Sequence, residues 1–247
     1  MSREKRSYAQ EFCVKNVGMA MHRAGMIRPG ARIGIALSGG VDSFVLAKTL
    51  AIRRAVLPFN IELMALHVNP GFTPGAQAAL LPWLAREGIA AHVEEGDFGP
   101  RAERESRRAP CFRCAWLRRK RLFELCGNYN LTHLAFGHNA EDLVETFFLN
   151  LCRNGRVDGM KLADSFFGGK LVVIRPLLLV EKKYIRQAAR QWNLPVFSGG
   201  CPWSGQTARS SMAETLQSLY NVGKQARRCI LNGISRFELA RYTQEDN

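Results

Sequence analysis

The sequence lacks the marks of a membrane-embedded or exported protein. No apolar run reaches the roughly 18 residues needed to cross a bilayer as a helix, and the first ten residues, MSREKRSYAQ, contain no apolar core of the kind found in signal peptides. Internal repeats and low-complexity tracts are also absent, so a repeat architecture is not expected. We therefore expect a cytoplasmic protein without a membrane partner.

Acidic residues are scarce relative to basic ones. The chain has 21 aspartates and glutamates against 35 lysines and arginines, a formal net charge of +14. Such a field attracts polyanions, so nucleic acid is the first partner class to consider, with a generally basic, solvated surface as the plainer alternative. Clustering of the cations around one cysteine pair favours nucleic acid. The cluster contains Arg101, Arg104, Arg107, Arg108, Arg113, Arg118, Arg119, Lys120 and Arg121. The candidate RNA contacts among them are Arg107, Arg108, Arg119 and Lys120.

Apolar strands alternate with amphipathic helices along most of the 247 residues. This alternation is typical of a parallel sheet covered by helices on both faces, an α/β fold of the Rossmann type. Strands are predicted at 31–37, 61–68, 89–95, 131–137 and 171–177. Helices are predicted at about 10–28, 42–55, 75–87, 112–126, 140–152 and 181–192, followed by a helical, basic tail at 208–242.

The pattern divides the chain into three parts. An N-terminal helical segment (1–30) precedes an α/β domain (31–180), and a C-terminal helical region (181–247) follows. Residues 96–110 are polar and nearly free of apolar anchors, which predicts a long mobile loop inside the α/β domain.

A glycine-rich loop follows the first predicted strand and opens a helix. Its two glycines let the backbone approach a ligand closely, and the helix N-terminus supplies free N–H groups that suit a pyrophosphate. Asp42 would repel bare phosphate, so it is predicted to bind Mg²⁺ or to cap the helix. A plain glycine-rich turn is the alternative. The candidate nucleotide-binding residues here are Leu37, Ser38, Gly39, Gly40, Asp42 and Ser43.

The string SGGVDS at 38–43 resembles the PP-loop of the ATP pyrophosphatases, which cleave ATP to AMP and pyrophosphate. It is not a Walker A loop, because the Gly-Lys-Ser/Thr ending is missing. The resemblance extends to His67, which is expected near the adenosine, although a structural histidine is the alternative. It also extends to GHNAED at 137–142, which is similar to the GHxxDD segment of that superfamily and adds Gly137 and Asp142 to the nucleotide site.

Cys111 and Cys114 form a Cys-x-x-Cys at the start of a predicted helix. The helix dipole there is expected to lower the pKa of both thiols. The pair alone is compatible with zinc, thioredoxin-like exchange or an iron–sulfur cluster. Cys201, in a Gly-Gly-Cys-Pro turn, is the candidate third ligand, and three cysteines would leave one iron of a cubane cluster open to a sulfur donor. The remaining cysteines are expected to be buried, structural residues: Cys13, Cys126, Cys152 and Cys229.

Taken together, SGGVDS, CFRCAWLRR, LAFGHNAEDLVETFFLN, RNGRVDGM and a late cysteine resemble the tRNA 2-thiocytidine synthetase (TtcA) family over roughly residues 10–240. The resemblance implies a PP-loop fold, ATP and Mg²⁺ at the loop, and a 4Fe-4S cluster on the three cysteines. It also implies adenylation of a tRNA pyrimidine, most simply cytidine 32, and sulfur supplied as sulfide or by a cysteine desulfurase to a homodimeric enzyme. The implied catalytic residues are Cys111, Cys114, Cys201, Asp42, Asp142 and Arg118.

The chain departs from the TtcA pattern at two places. Val41 occupies the position where many members have lysine, so Arg118 is the candidate to make the phosphate contact instead. The late segment CPWSGQTAR holds one cysteine where TtcA sequences often show two, which is closer to related thiolases. Alternatives are a persulfide-based thiolase, a sulfur-removing enzyme, a lysidine-type PP-loop ligase, and a non-enzymatic RNA-binding module.

Overall fold

The computed structural model describes residues 6–72, 75, 78–106, 110–197, 200–202 and 208–242. Within these residues, six strands form one sheet in the order β3-β2-β1-β4-β6-β5. Their bounds are Arg32–Ala36 (β1), Glu62–Asn69 (β2), Ala90–Glu95 (β3), His133–Ala135 (β4), Ala163–Phe166 (β5) and Leu171–Ile174 (β6). All neighbouring pairs are parallel except β5 and β6, which are antiparallel.

The helices of the described residues cover both faces of the sheet. They are Tyr8–Arg23 (α1), Val41–Arg54 (α2), Leu80–Arg86 (α3), Phe98–Glu105 (α4), Pro110–Asn128 (α5), Ala140–Asn154 (α6), Lys182–Gln191 (α7), Ala208–Tyr220 (α8) and Ala226–Ala240 (α9). None of them combines the length and the apolar character needed to span a membrane.

The central strands are apolar on both sides because helices cover both faces of the sheet. Ile33 and Ile35 of β1 are fully buried, as is Ala65 of β2. The main core cluster also includes Val17 of α1 and Leu231 of α9, so apolar side chains from all three parts of the sequence pack together. The three-part division remains a prediction.

Two features of the fold differ from the sequence predictions. The segment predicted as a mobile loop, 96–110, contains helix α4, which packs on α5 and buries Ala102 completely. An Arg101–Glu105 ion pair at i,i+4 spacing supports this short helix. Strand β5 was not predicted, because its four residues, ADSF, are too few and too polar to show a period. The helical tail predicted at 208–242 consists of two helices, α8 and α9.

The order of the strands places the glycine-rich loop at a crevice. Strand β1 pairs with β2 on one side and with β4 on the other. The chain first adds β2 and β3 on one side of β1 and then crosses over to add β4 on the other side, so the strand order switches at β1. In open α/β sheets, ligands bind outside the carboxyl ends of the strands at such a switch point. The loops after β1 and β4, residues 37–40 and 136–139, meet there.

Candidate functional site

The glycine-rich loop is held by its own hydroxyl groups. The Ser43 hydroxyl donates to the Gly40 carbonyl at 2.8 Å, and the Gly40 N–H donates to the Ser38 hydroxyl at 3.3 Å. Gly40 is the N-cap of α2 and makes no side-chain cap bond, so the predicted capping role of Asp42 is wrong. The first N–H groups of α2 are therefore not capped by a side chain, which suits an anionic ligand.

Gly39 connects this loop to the C-terminal region. Its φ of 91° lies in the left-handed region, and a Cβ built on it would lie 2.5 Å from Cε2 of Phe197. The Phe197 N–H donates to the Gly39 carbonyl at 3.0 Å. The Phe197 ring also contacts Phe44 and His67, with ring centroids 6.1 and 5.6 Å apart. Phe197, four positions before Cys201 in the sequence, is thereby docked against the nucleotide loop.

The second strand-to-helix junction lies against the first. A Cβ on Gly137 would lie 3.1 Å from the backbone carbonyl carbon of Asp42, so only glycine permits this approach without a shift. Asn139 caps α6 in a reciprocal arrangement with Asp142, and its side-chain amide donates to the Asp42 carboxylate at 3.3 Å. One asparagine thus joins two acidic residues from different helices.

The negative charge of Asp142 raises the cost of ionising Asp42. Burial, opposed by Lys182 and reinforced by the negative charge of Asp142, raises the pKa of Asp42 to about 6. Its Oδ1 atom is buried and has no hydrogen-bond partner among the described residues. Arg209 lies 3.5 Å from Asp142 on the other side. A carboxylate pair with an orphaned oxygen is a donor set that suits Mg²⁺.

A cavity of about 310 Å³ opens where these loops meet. Six predicted nucleotide residues line it: Leu37, Ser38, Asp42, Ser43, Gly137 and Asp142. Gly39 and Gly40 shape the loop at its edge. His67 does not line the cavity; its Nδ1–H donates to the Leu37 carbonyl at 2.7 Å, and burial lowers its pKa. The structure therefore gives His67 a supporting position behind the loop.

His138 also lines the cavity, and it was not among the predicted site residues. Burial, with the positive charges of Arg175, Arg209 and Arg119, lowers its pKa to about 3, so the ring is neutral. Its Nδ1 is buried and unpartnered within the described part of the chain. A neutral ring with a free nitrogen is available to a bound ligand.

The three predicted ligand cysteines all line a second cavity, of about 180 Å³. Cys111 and Cys114 belong to the first turns of α5, and Cys201 enters from the segment that follows Phe197. Burial raises the pKa of Cys111 and of Cys114, so the expected lowering by the helix dipole is wrong. Arg118 acts in the opposite direction on Cys114. Across the described ranges, no three His, Cys, Asp or Glu side chains are placed to share a single metal ion.

Arg118 and Ala115 line both cavities, so the two spaces adjoin. Burial lowers the pKa of the Arg118 guanidinium, while the Cys114 and Cys201 thiols act to raise it. Its Nε is buried and has no hydrogen-bond partner among the residues described. A buried cation with an unmet donor is costly unless an anion arrives. The position of Arg118 fits the predicted phosphate contact.

The remaining cysteines divide into two groups. Cys13 and Cys126 are buried, as expected, and burial raises the pKa of each to about 12. Cys152 and Cys229 are exposed, contrary to expectation. Both belong to helices, α6 and α9, whose apolar stripes face elsewhere, and residue type alone does not report which face a cysteine occupies.

The basic cluster has several local partners. Arg101 and Arg113 pair with Glu105, and Arg121 pairs with Glu94. Arg104 pairs with Asp97 at 3.3 Å. Arg119 is exposed and lines the nucleotide cavity, and Lys120 is exposed and lies 3.9 Å from Glu124. Arg107 and Arg108 lie outside the described residues. The RNA-contact roles of these residues remain predictions.

Other residues of the site were missed because their importance depends on distant partners. Asn139, Phe197 and Arg209 each connect segments that are far apart in the chain. Only Asn139 carried a local signal, since it lies inside the GHNAED string. Glu141, which stands where the GHxxDD segment has its first aspartate, accepts from Arg227 and from the backbone of Lys182 rather than facing the cavity.

A parallel sheet with a glycine-rich loop after its first strand, joined to an acidic second loop across a switch point, defines a PP-loop nucleotide-binding protein. Residues 14–198 match the PP-loop domain family ATP_bind_3. The chain belongs to this family and, within it, to the TtcA family, which confirms the predicted family and fold class.

Similar proteins agree with this assignment. The tRNA-cytidine(32) 2-sulfurtransferase of Geobacter sulfurreducens is 33% identical over 233 residues, covering 91% of this chain and 90% of its own. The protein of the same name from Geotalea uraniireducens is 32% identical and covers 91% of each chain. A solved structure, the U34-tRNA thiolase NcsA of Methanococcus maripaludis with its 4Fe-4S cluster, superposes with a TM-score of 0.72 at 22% identity. It covers 93% of this chain and 80% of its own, and this likeness shows the fold.

Proposed function

We propose that the chain is an ATP-dependent tRNA sulfurtransferase that converts cytidine 32 of tRNA to 2-thiocytidine. The observation that carries the proposal is the sharing of Arg118 by two cavities, one at the PP-loop and one lined by three cysteines. An activated base oxygen and an incoming sulfur would have to meet at such a junction. The names of the relatives in Geobacter and Geotalea support tRNA cytidine as the substrate.

The first step is adenylation of the base. ATP would place its β- and γ-phosphates against the Ser38–Ser43 loop and the N-terminus of α2. The cytidine O2 attacks the α-phosphorus, and pyrophosphate leaves. Asp42 and Asp142 would hold Mg²⁺, which offsets negative charge on the phosphates. Arg118 stabilises charge that develops on the α-phosphate, because its guanidinium is buried beside the cavity.

The second step replaces AMP by sulfur at C2 of the base. Cys111, Cys114 and Cys201 would hold a 4Fe-4S cluster, which supplies an open iron for a sulfide ligand. A cluster does not need its cysteines to converge on one ion, since separate irons bind separate thiolates. Cys201 shares its cavity with Arg118, which would remain next to the phosphate of the leaving AMP.

The reaction is tested directly on the full chain. Anaerobically purified protein, supplied with ATP, Mg²⁺, sulfide and an unmodified tRNA transcript, should form AMP and pyrophosphate. Nucleoside mass spectrometry should detect 2-thiocytidine in that tRNA. Attachment of lysine to C2 of the base through its side-chain amino group, with release of AMP, would favour the ligase alternative, and loss of sulfur from pre-thiolated tRNA would favour the sulfur-removing alternative. AMP formation without any modified nucleoside would contradict the assignment.

Cys201→Ser tests the cluster. We expect the variant to lose iron, labile sulfide and thiolation while it still binds ATP, because one of three thiolate ligands is removed. Cys229 is an exposed cysteine on α9, so Cys229→Ser is the matched control. It should keep its iron, its labile sulfide and its thiolation activity. A persulfide mechanism predicts instead an active enzyme without iron, still inactivated by Cys201→Ser. Full iron content in the variant would exclude Cys201 as a ligand.

Three further features follow from the same assignment. The sulfur is expected to come from sulfide or from a cysteine desulfurase, and the two are separated by supplying each alone. A homodimer is expected and is measured by sedimentation. A cytoplasmic location fits an enzyme that meets tRNA there.

A further inference from the structure

One exposed side of α5 carries aromatic side chains that the proposed chemistry leaves unused. Phe112 and Trp116 are 75% and 46% exposed and lie one turn apart on this helix. Phe123 follows two turns later; it is partly buried against the apolar core, and its ring contacts Phe166 and Phe167 at centroid distances of 5.5 and 5.6 Å. We call Phe112, Trp116, Phe123 and Phe167 the aromatic stripe.

The stripe borders the two cavities. Cys111 and Ala115 line cavity walls, and Phe112 and Trp116 are the residues that directly follow them on α5. The next helical turn contributes Arg119, which is exposed and also lines the nucleotide cavity. The stripe therefore starts on the same helical turns of α5 that form walls of both cavities.

The far end of the stripe is held in a costly conformation. Phe167 is 62% exposed and has a φ of 54°, in the left-handed region that bulky residues rarely adopt. The ring contacts Phe123 and Phe166 but stays mostly exposed, so its packing inside the fold does not by itself account for the backbone cost. A binding role for the ring would account for it.

Cations accompany the rings. The Arg113 guanidinium carbon lies 4.6 Å from the centroid of the Trp116 ring, and Lys120 Nζ lies 6.0 Å from it. Arg119 adds a third positive charge on this side of the helix. A surface on which rings alternate with cations suits a partner in which flat bases alternate with phosphates. A purely apolar partner would match the rings but not the cations.

We propose that the aromatic stripe binds unpaired nucleotides of the tRNA loop by stacking their bases, while the neighbouring cations contact their phosphates. The proposal rests on the tRNA-modifying function. Single-stranded loop bases can splay out and stack on aromatic side chains, whereas bases inside a duplex cannot. Stacking of the flanking nucleotides would present the target base to the cavities.

Trp116→Ala tests the stripe in equilibrium binding of an unmodified tRNA transcript and of a blunt RNA duplex of similar length. We expect tRNA affinity to fall about 5- to 150-fold, the range for loss of one stacked base, with duplex affinity unchanged. The salt dependence should keep its slope, because no phosphate contact is removed. ATP binding should also stay the same. Phe167→Ala, on a separate element, should show the same pattern.

Matched controls separate stacking from structural damage. Trp116→Phe should keep most of the affinity, because a ring remains. Tyr8→Ala, which removes a 69% exposed ring on α1, should bind tRNA as the unsubstituted protein does. Equal affinity of Trp116→Ala and Tyr8→Ala for tRNA would overturn the proposal, as would an equal loss of tRNA and duplex binding.

Two other outcomes also decide the question. If the stripe joins two copies of the chain, Trp116→Ala will change the sedimentation coefficient and leave tRNA affinity intact, which refutes nucleotide binding. If the unsubstituted protein thiolates tRNA and the substitutions in the stripe leave tRNA affinity unchanged, only the stripe proposal fails. If it neither binds nor modifies tRNA, the proposed function fails as well.

Discussion

Gly39→Ala should disrupt the packing of Phe197, four positions before Cys201, against the nucleotide loop. The new Cβ would lie 2.5 Å from the Phe197 ring, and the φ of 91° is unfavourable for any L side chain. Backbone strain of this kind costs roughly 1–3 kcal/mol, and overpacking costs roughly 1–3 kcal/mol more. We therefore expect the free energy of unfolding to fall by about 2–6 kcal/mol.

Denaturant unfolding measures this loss, and two further variants check its cause. Gly40→Ala is the matched control, because its φ of −77° suits alanine and the nearest atom to its Cβ is 3.5 Å away. It should cost no more than about 1 kcal/mol through the weaker N-cap. Phe197→Ala combined with Gly39→Ala should be less destabilising than the sum of the single changes, because the clash is gone. Equal stability of the Gly39→Ala and Gly40→Ala variants would refute the reasoning.

Two more predictions concern buried ionisable side chains. Burial raises the pKa of the fully buried Glu238 to about 7 from an ordinary 4.5. Because the folded chain keeps this proton while the unfolded chain releases it, the free energy of unfolding should fall by about 3 kcal/mol as the pH rises from 4.5 to 7. Glu238→Gln should abolish that fall in pH-dependent denaturation, and the exposed control Glu103→Gln should not. Arg118→Met should slow tRNA-dependent AMP formation by about 100- to 1000-fold, because it removes the cation between the cavities, without lowering the free energy of unfolding. Arg101→Met, on α4, is its control, and unchanged AMP formation by Arg118→Met would contradict the mechanism.

Most of the sheet could be predicted from the sequence because buried strands of a parallel sheet are continuous apolar runs. Strands β1 and β2 are of this kind, and each leads into a loop whose residues are also local in the sequence. Strand β5 and helix α4 could not be predicted, because each depends on a neighbour. β5 exists by pairing with β6, and α4 exists by burying Ala102 against other elements.

The candidate site divides in the same way. The residues of the PP-loop and the Cys-x-x-Cys were recognisable because short spacings determine their geometry. The thiol pKa was mispredicted, because the dipole is a local property of α5 whereas burial depends on what covers it. Exposure of Cys152 was mispredicted for the same reason.

The sequence by itself determined the fold class, the phosphate-binding loop after the first strand, and the cysteine pair, since periodicity and short-range spacing specify these. Only the tertiary structure decided that Asn139 joins Asp142 to Asp42, which lies 97 positions from Asn139 in the chain, that Phe197 docks on Gly39, and that Arg118 lies between two cavities. The physical reason is that a sequence pattern reports which face of an element is apolar, whereas the partner covering that face is chosen by the packing of the whole chain.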